Sequence, residues 1–423
     1  MRASFHTLGC RLNQAETALA ADDLSRHGWE IVPWPGEAEV LVINSCAVTG
    51  AASQKTRQAV SLARRRCPNA IIVVMGCDAK VDDWEGKADL VAPHPMTQPL
   101  SQLLGLQLPA AVSPGDEGNG FRLEGAARFA ERTRANLKVQ DGCNFFCSYC
   151  IVPYARGRAR SRALDDVLRE ARELIQAGYK ELVLCGVNLT TYNDDGVDLA
   201  GLLAKLLELG DGFRIRLGSS EPGDVIPRVV DLMRSEPRIC RFLHLPLQYG
   251  EDSILKRMRR HYTAEQYAQI ALDAAEKLPG LCLGADIITG FPGENEENFQ
   301  KCLDFVEKLP FGLLHVFPYS PRPGTLAATY TDRPSKNLAD KRAAQLAQLG
   351  ARKAELFAKS QIGKTLEVLI EDDGAGWSDN YLHVSLQGAQ AQRNTIVPVK
   401  IAEYCGGREL RANILIPPQG CSR

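Results

Sequence analysis

Long apolar runs are missing from this sequence. Nowhere do about 18 apolar residues follow one another, so we expect no membrane-spanning helix. The first residues, MRASFHTLGCRLNQ, also lack the basic start and apolar run of a signal peptide. No charge is in excess, because the formal net charge is −1, and this excludes a generally basic nucleic-acid coat. With 45% hydrophobic and 24% charged residues, we expect a folded cytoplasmic protein.

Cysteine, in contrast, is plentiful, with 13 residues. Disulfides are rare in cytoplasmic proteins, so these residues are expected to be free thiols, metal ligands or cluster ligands. The odd total points the same way.

Strand-like and helical segments alternate through residues 1–120, the first predicted domain. The runs SFHTL, EVLVINS and AIIVVMG predict strands, and the segments between them have helical patterns. This alternation predicts an open parallel sheet covered by helices. Residues 93–132 lose the pattern and predict a linker with a weak final element.

The alternation resumes in the second predicted domain, residues 130–360. Its six predicted strands are ANLKVQD, KELVLCGV, FRIRLGS, RFLHLPLQ, LCLGADIIT and FGLLHVFPYS. Six β/α units predict a partial (β/α)6 barrel with its chemistry at the C-terminal ends of the strands. Residues 361–423 are β-rich and predict a small β-barrel of the oligonucleotide-binding type. The predicted fold class is therefore α/β with a C-terminal β domain.

Three cysteines lie in one loop, DGCNFFCSYC, directly after the first predicted barrel strand. Thiolates in a cytoplasmic protein select zinc or iron–sulfur clusters. Cys143, Cys147 and Cys150 would bind three irons of a cubane cluster and leave the fourth iron open to a small molecule. The alternative is a zinc knuckle that a distant residue completes. The tight spacing after a strand favours the open cluster.

Three further cysteines each follow a predicted strand of the first domain: Cys10, Cys46 and Cys77. The carboxyl ends of parallel strands share one edge of a sheet, so the three thiols are expected to form a second cluster site there. Taken singly, each cysteine is better explained as a small buried side chain. The same explanation, or a surface thiol, applies to Cys67, Cys240, Cys282, Cys302, Cys405 and Cys421. Cys185, which ends a strand, is ambiguous.

Several motifs in one order resemble the radical S-adenosylmethionine (radical SAM) methylthiotransferases. They are TLGCRLNQAE, INSCAVT, MGC, CSYCIVPYARGRARSR, HLPLQYG, DIITGFPGE, FPYSPRPGT and GWSDNYLHV, and the last resembles an RNA-binding TRAM domain. TLGCRLNQAE and IVPYARGRARSR resemble most the branch that acts on N6-threonylcarbamoyladenosine beside the anticodon of tRNA. The sequence departs from the family at Tyr249, where serine is usual, and in residues 84–99.

This resemblance implies a mechanism with two [4Fe–4S] clusters. The cluster on Cys143, Cys147 and Cys150 would bind S-adenosylmethionine, and an electron from a flavodoxin- or ferredoxin-like donor would release a 5′-deoxyadenosyl radical. The radical would remove hydrogen from carbon 2 of the adenine. The second cluster would hold a sulfur, methylated by a second S-adenosylmethionine, that joins this carbon.

The resemblance also suggests residues that contact the cofactor. Tyr149 would present its backbone to the adenine, and the Gly290 and Gly293 turn would let backbone pack against a nucleoside. Polar side chains at strand ends would hydrogen-bond the cofactor; these are Asn188, Ser219, Ser220, Glu221 and Gln248. The alternative explanation for the serines and Glu221 is a strand-terminal cap, and for Tyr149 it is core packing.

Basic and aromatic residues are the predicted substrate contacts. Arg156, Arg158 and Arg162 lie behind the cluster loop, where a guanidinium can bind a carboxylate or phosphate. In the terminal domain, Trp377, Tyr381, His383 and Arg393 would stack on RNA or neutralise its charge. Two alternatives stay open: the same chemistry on N6-isopentenyladenosine, and a metal-stabilised RNA-binding protein without catalysis. Charge runs such as residues 64–66, 156–162 and 256–260 are, taken alone, as well explained by solvated surface.

Overall fold

A computed structural model describes residues 1–92, 99–105, 120–123, 125–127, 133–372, 374–387 and 391–415. A parallel sheet, a partial barrel and a closed β-barrel follow one another in it, which confirms the predicted fold class. Within the described ranges, no helix combines the length and apolar character that a membrane span requires. The predicted linker, residues 93–132, and Cys421 lie largely or wholly outside these ranges.

The first unit is a five-stranded parallel sheet with the strand order 2-1-3-4-5. Its strands are β1 Arg2–Thr7, β2 Glu30–Val32, β3 Val40–Ser45, β4 Ile71–Gly76 and β5 Leu90–Ala92. Its helices are α1 Arg11–Arg26, α2 Gly50–Arg66, α3 Asp78–Val81 and α4 Leu100–Leu103. Apolar cores lie on both faces of the sheet, as expected when helices cover a parallel sheet twice. The three strands predicted from the sequence are confirmed, while β2 and β5 were not predicted.

The second unit contains all six predicted barrel strands. The strands in this part of the chain are β6 Gly120–Phe121, β7 Arg134–Lys138, β8 Gln140–Asp141, β9 Arg160–Arg162, β10 Glu181–Cys185, β11 Asn193–Asp194, β12 Val197–Asp198, β13 Arg214–Leu217, β14 Phe242–His244, β15 Cys282–Thr289 and β16 Phe311–Pro318. Parallel sheets 7-10-13 and 14-15-16 form the two halves of the barrel wall, which meet through isolated bridges such as Ser219 to His244.

Helices cover the outside of this wall. Helix α5 Val152–Arg156 instead packs against the first unit. The helices on the wall are α6 Leu164–Gln176, α7 Leu199–Leu207, α8 Val225–Ser235, α9 Asp252–Arg257, α10 Ala264–Lys277, α11 Glu296–Lys308 and α12 Lys336–Lys359. Alternate strand residues, such as Leu182 and Leu184, join the core beneath these helices. The intervening residues, such as Val183 and Cys185, therefore face the barrel interior, because strand side chains alternate between two faces. There they pack against Leu12 of α1, so the first unit covers part of the interior.

The third unit is a closed barrel in the order 17-18-19-21-20. Its strands are β17 Thr365–Asp372, β18 Ala375–Ser378, β19 His383–Leu386, β20 Ile396–Gly406 and β21 Glu409–Ile414. Strand β18 was not predicted, since AGWS is short and contains a glycine. The unit docks on the wall through buried Arg214 and Arg216, which both pair with Glu181. Arg214 also donates to the Trp377 carbonyl, and Arg216 donates to the Asp379 carbonyl.

Candidate active site

The cysteine loop between β8 and α5 is held by its own backbone and by two neighbouring segments. The N–H of Cys143 donates to the Gly157 carbonyl at 3.1 Å, and that of Cys150 donates to the Cys147 carbonyl at 3.0 Å. Ser148 accepts from Ala327 at 2.7 Å and donates to Met258 at 3.0 Å. The loop therefore presents the three cysteines from a rigid turn at the C-terminal end of the first barrel strand.

Burial disfavours ionisation of two thiols in the loop, those of Cys143 and Cys150. It raises the pKa of Cys143, and it raises the pKa of Cys150 to about 12. Arg260 lies against the loop, with Nη1 3.2 Å from Cys147 Sγ and Nη2 paired with Glu221. Its side chain is only 2% exposed. A buried cation at this position would offset the negative charge that metal-bound thiolates bring into the loop.

The other three cysteines lie along the C-terminal edge of the first sheet. Cys10 precedes α1, Cys46 follows β3 and Cys77 follows β4. Gly9 has φ +104°, and a Cβ on it would lie 2.8 Å from Cys46 Cβ, so only glycine lets these two segments approach so closely. The pKa of Cys77 is raised to about 12, mainly by burial and also by the nearby Cys10 and Cys46 thiols, although Arg156 opposes this shift.

The two sets of cysteines are neighbours. Ala47 follows Cys46 in the first unit, Ile151 follows Cys150 in the second, and both belong to one small apolar cluster with Cys77. The first sheet edge and the barrel loop thus meet over the same core.

A buried ionic network joins the same two regions. Arg156 Nε lies 3.0 Å from Cys77 Sγ, and its Nη1 lies 2.6 Å from Glu16 and 3.1 Å from Asp141. Lys138 completes the network, 2.8 Å from Glu16 and 2.6 Å from Asp141. Burial would raise the pKa of Glu16, but Arg156 and Lys138 hold it below the usual range.

Polar residues at the strand ends leave hydrogen-bonding groups unused. Asn188 accepts from Thr190 at 2.6 Å, yet its Nδ2 is buried without a partner among the described residues. Ser220 Oγ is also buried and unpartnered there. Because buried polar groups normally have partners, these atoms suit a bound polar ligand. Together with three thiols in one loop, they fit a cubane cluster and S-adenosylmethionine.

The other predicted cofactor residues have varied surroundings. Gln248 adopts φ +65° and donates from its N–H to the Asp286 carbonyl at 2.7 Å. Tyr149 Oη lies 3.4 Å from Arg260 Nη1. Gly290 permits a close approach of α12, since a Cβ on it would lie 2.3 Å from Ala339 Cβ. The cofactor roles of these residues, Gly293 and Ser219 stay predictions.

The three predicted substrate arginines lie in different environments. Arg156 is buried in the network described above. Arg162 has no exposed side-chain surface and pairs with Asp166 and Glu170. Arg158 is exposed and lies over the Phe146 ring at 4.6 Å. Of the three, Arg158 therefore has the access that a contact with RNA requires, and that role stays a prediction.

The predicted aromatic contacts of the terminal domain face the barrel. Trp377 stacks on Tyr381 at 4.9 Å, and Tyr381 also packs on Phe242 at 4.6 Å. Arg11 donates to Tyr381 Oη at 2.7 Å. Both rings thus take part in docking between units, whereas Arg393 is exposed and donates to the Glu371 carbonyl. The predicted contacts of Trp377, Tyr381 and Arg393 with RNA stay predictions.

Sequence reasoning did not assign Arg260 or the pair of Lys138 and Glu16. Arg260 belongs to a basic run, residues 256–260, which taken alone is as well explained by solvated surface. The sequence analysis also assigned no role to His244, Asp286 and His315, which lie together on β14, β15 and β16. Their strand positions were visible in the sequence, but their proximity was not.

Comparison with known proteins decides the family. Residues 137–306 match the model of the radical SAM superfamily, and residues 2–92 match that of uncharacterized protein family UPF0004. The threonylcarbamoyladenosine tRNA methylthiotransferase MtaB of Bacillus subtilis is 36% identical, over 94% of this chain and 93% of that protein. The chain belongs to the radical SAM methylthiotransferase family. As a radical SAM enzyme, it uses a [4Fe–4S] cluster and S-adenosylmethionine.

Other relatives in this family carry two different names. The MtaB of Aquifex aeolicus is 35% identical over 92% of this chain and 97% of that protein. A tRNA-2-methylthio-N(6)-dimethylallyladenosine synthase of Anaplasma marginale is 33% identical over 97% of both chains. The solved radical SAM methyltransferase TsrM of Kitasatospora setae superposes with a TM-score of 0.54, covering 77% of this chain and 74% of that one. At 14% identity, this last likeness concerns the fold alone.

Proposed function

We propose that this methylthiotransferase modifies carbon 2 of N6-threonylcarbamoyladenosine in tRNA. The observation that carries the proposal is the meeting of the two cysteine sets over one apolar cluster, with Arg156 between them. An enzyme that activates a substrate carbon at one site and delivers sulfur from another needs the two sites side by side. The relatives from Bacillus subtilis and Aquifex aeolicus, named for threonylcarbamoyladenosine, support the choice of nucleoside.

In this proposal each set of cysteines holds one [4Fe–4S] cluster. Cys143, Cys147 and Cys150 hold the cluster that, with S-adenosylmethionine bound, supplies one-electron cleavage and hydrogen-atom abstraction. Cys10, Cys46 and Cys77 hold the second cluster, which carries the sulfur. The electron donor is a flavodoxin- or ferredoxin-like protein, and the enzyme works in the cytoplasm.

The residues around the clusters have separate tasks. Arg156 and Arg260 supply positive charge and N–H donors to buried thiolates, which lowers the cost of burying anionic clusters. Asn188 and Ser220 offer their unused polar groups to S-adenosylmethionine. The terminal barrel, with Arg393 on its exposed surface, binds the tRNA by its backbone charge, and exposed Arg158 behind the cluster loop adds a further contact.

Deletion of the gene tests reaction and substrate together. Bulk tRNA nucleosides are analysed by mass spectrometry in the deletion strain and in the same strain with a plasmid-borne copy. We expect the methylthio form of threonylcarbamoyladenosine to disappear and its parent to accumulate. If isopentenyladenosine loses its methylthio group instead, the enzyme would be assigned to the branch that the Anaplasma marginale relative represents.

A metal-stabilised RNA-binding protein without catalysis would behave differently. Anaerobically purified protein with two cubane clusters should be brown and contain about eight irons per chain. A plasmid copy encoding Cys147→Ala should fail to restore the methylthio nucleoside. Restoration by that copy would refute the catalytic role of the loop.

A further inference from the structure

Three side chains from neighbouring strands meet inside the barrel. His244 Nε2 lies 3.1 Å from one carboxylate oxygen of Asp286, and His315 Nδ1 lies 3.2 Å from the other. The two imidazole rings are 5.6 Å apart. We call His244, Asp286 and His315 the lumen triad.

The strand pattern places the lumen triad on the interior face. Leu243, Ala285 and Leu314 alternate with its members and pack in or against the core beneath the helices. The lumen triad therefore faces the opposite way, into the space that the two halves of the wall enclose. His315 has 48% of its side chain exposed, so this space is open to a ligand.

The lumen triad lies next to the predicted cofactor residues. The N–H of Ser220 donates to the His244 carbonyl at 2.9 Å, and that of Gln248 donates to the Asp286 carbonyl at 2.7 Å. A substrate base has to lie beside S-adenosylmethionine to react with it. Groups attached to that base would then extend into the part of the barrel interior that the lumen triad lines.

We propose that His244 and His315 bind the carboxylate of the N6-threonylcarbamoyl group, with Asp286 as the residue that positions both imidazoles. This inference rests on the proposed function, whose substrate supplies the carboxylate. Each ring directs one nitrogen to Asp286 and keeps the other for the ligand. An imidazole N–H donates a hydrogen bond to a carboxylate, and the bond is charge-assisted when the ring is protonated. An apolar isopentenyl group would leave these donors without partners, which disfavours it.

The same side chains are a possible set of metal ligands, since two imidazoles and a carboxylate bind divalent ions. Two observations favour the organic ligand. The two oxygens of Asp286 each face a different ring instead of a common centre. Moreover, the second nitrogen of His244 has no hydrogen-bond acceptor among the described residues, whereas metal-bound imidazoles normally donate to one.

A mutant cycle between the protein and its substrate tests the proposal. The substrates are anticodon stem-loop RNAs that carry threonylcarbamoyladenosine or its methyl ester, which lacks the negative charge. The proteins are anaerobically purified wild type, His315→Gln, Asp286→Asn and the control His27→Gln, whose histidine contacts Asp23 at the end of α1. KM and kcat of methylthiolation, RNA affinity by fluorescence anisotropy and metal content are measured for each.

We expect wild type and His27→Gln to bind the acid at least about tenfold better than the ester, since one charge-assisted hydrogen bond is lost. His315→Gln and Asp286→Asn should no longer distinguish acid from ester, with KM raised more than kcat is lowered. Equal acid-to-ester ratios in wild type and His315→Gln would overturn the inference while leaving the function intact. The inference would also be overturned if the wild type contained one zinc per chain and Asp286→Asn contained none. Turnover of isopentenyladenosine RNA alone would instead overturn the proposed function.

Discussion

Replacing Arg156 with methionine would remove the guanidinium that lies between Glu16, Asp141 and Cys77. Methionine keeps much of the side-chain volume, so the change mainly removes charge and hydrogen bonds. Glu16 and Asp141 would then share Lys138, with Arg160 at 3.7 Å from Asp141 as a further, partly exposed cation. Glu16 and Lys138 are almost completely buried, so water cannot replace the lost partner.

Breaking a buried ion pair by removing one partner typically costs about 3–5 kcal/mol, because a buried charge is left uncompensated. We therefore expect Arg156→Met to lower the free energy of unfolding by about that amount. The double variant Arg156→Met with Glu16→Gln should recover part of the loss, because it removes the stranded carboxylate. The control is Arg57→Met, which breaks a pair with Asp82 on the surface. Surface pairs contribute about 0–1 kcal/mol.

The assay is denaturant unfolding of anaerobically purified protein, followed by circular dichroism and by iron release. Since Arg156 joins the first unit to the barrel, iron should leave at lower denaturant in Arg156→Met than in the control. If Arg156→Met unfolds and releases iron like Arg57→Met, the buried network does not hold the two units together. If adding Glu16→Gln makes the loss larger instead of smaller, the electrostatic reasoning fails.

Four further changes test other parts of the structure. Cys147→Ala should abolish S-adenosylmethionine cleavage and leave tRNA affinity nearly unchanged, and parallel loss of both would indicate a structural site. Arg260→Met should make the reduction potential of the first cluster more negative in a redox titration, because a hydrogen bond to Cys147 is lost; an unchanged potential would contradict this. Gly290→Ala should unfold at lower denaturant than Gly324→Ala, since both glycines have positive φ but only Gly290 contacts α12. Two buried arginines hold the pKa of Glu181 well below its usual range, although burial alone would raise it. Its stabilisation is therefore present above about pH 4.3 and is lost as the pH falls, so the wild type should lose more stability than Glu181→Gln in acid.

Much of the architecture follows from local patterns. The six barrel strands are short apolar runs between amphipathic helices, and this periodicity depends only on near neighbours in the chain. Strands β2, β5 and β18 escape prediction because each is short and is stabilised by partners distant in sequence, whereas the equally short β14 lies within the longer apolar run RFLHLPLQ. Trp377 and Tyr381 show the same limit, since a sequence marks them as aromatic but does not show that Tyr381 packs on Phe242 and Trp377 on Tyr381.

The radical SAM chemistry of this protein could be inferred from a local pattern, three cysteines in one loop, and three more cysteines that each follow a strand predict a second cluster. Ligand type and spacing within a loop are local properties, so they can be read without coordinates. The charges that accompany the thiols could not be inferred in this way, because they come from distant parts of the chain. Arg156 reaches Cys77 across 79 positions and Arg260 reaches Cys147 across 113, and the lumen triad combines three separate strands. Such contacts depend on how sheets and helices pack. Packing brings distant residues together, and burial strengthens the electrostatic interaction between their charges.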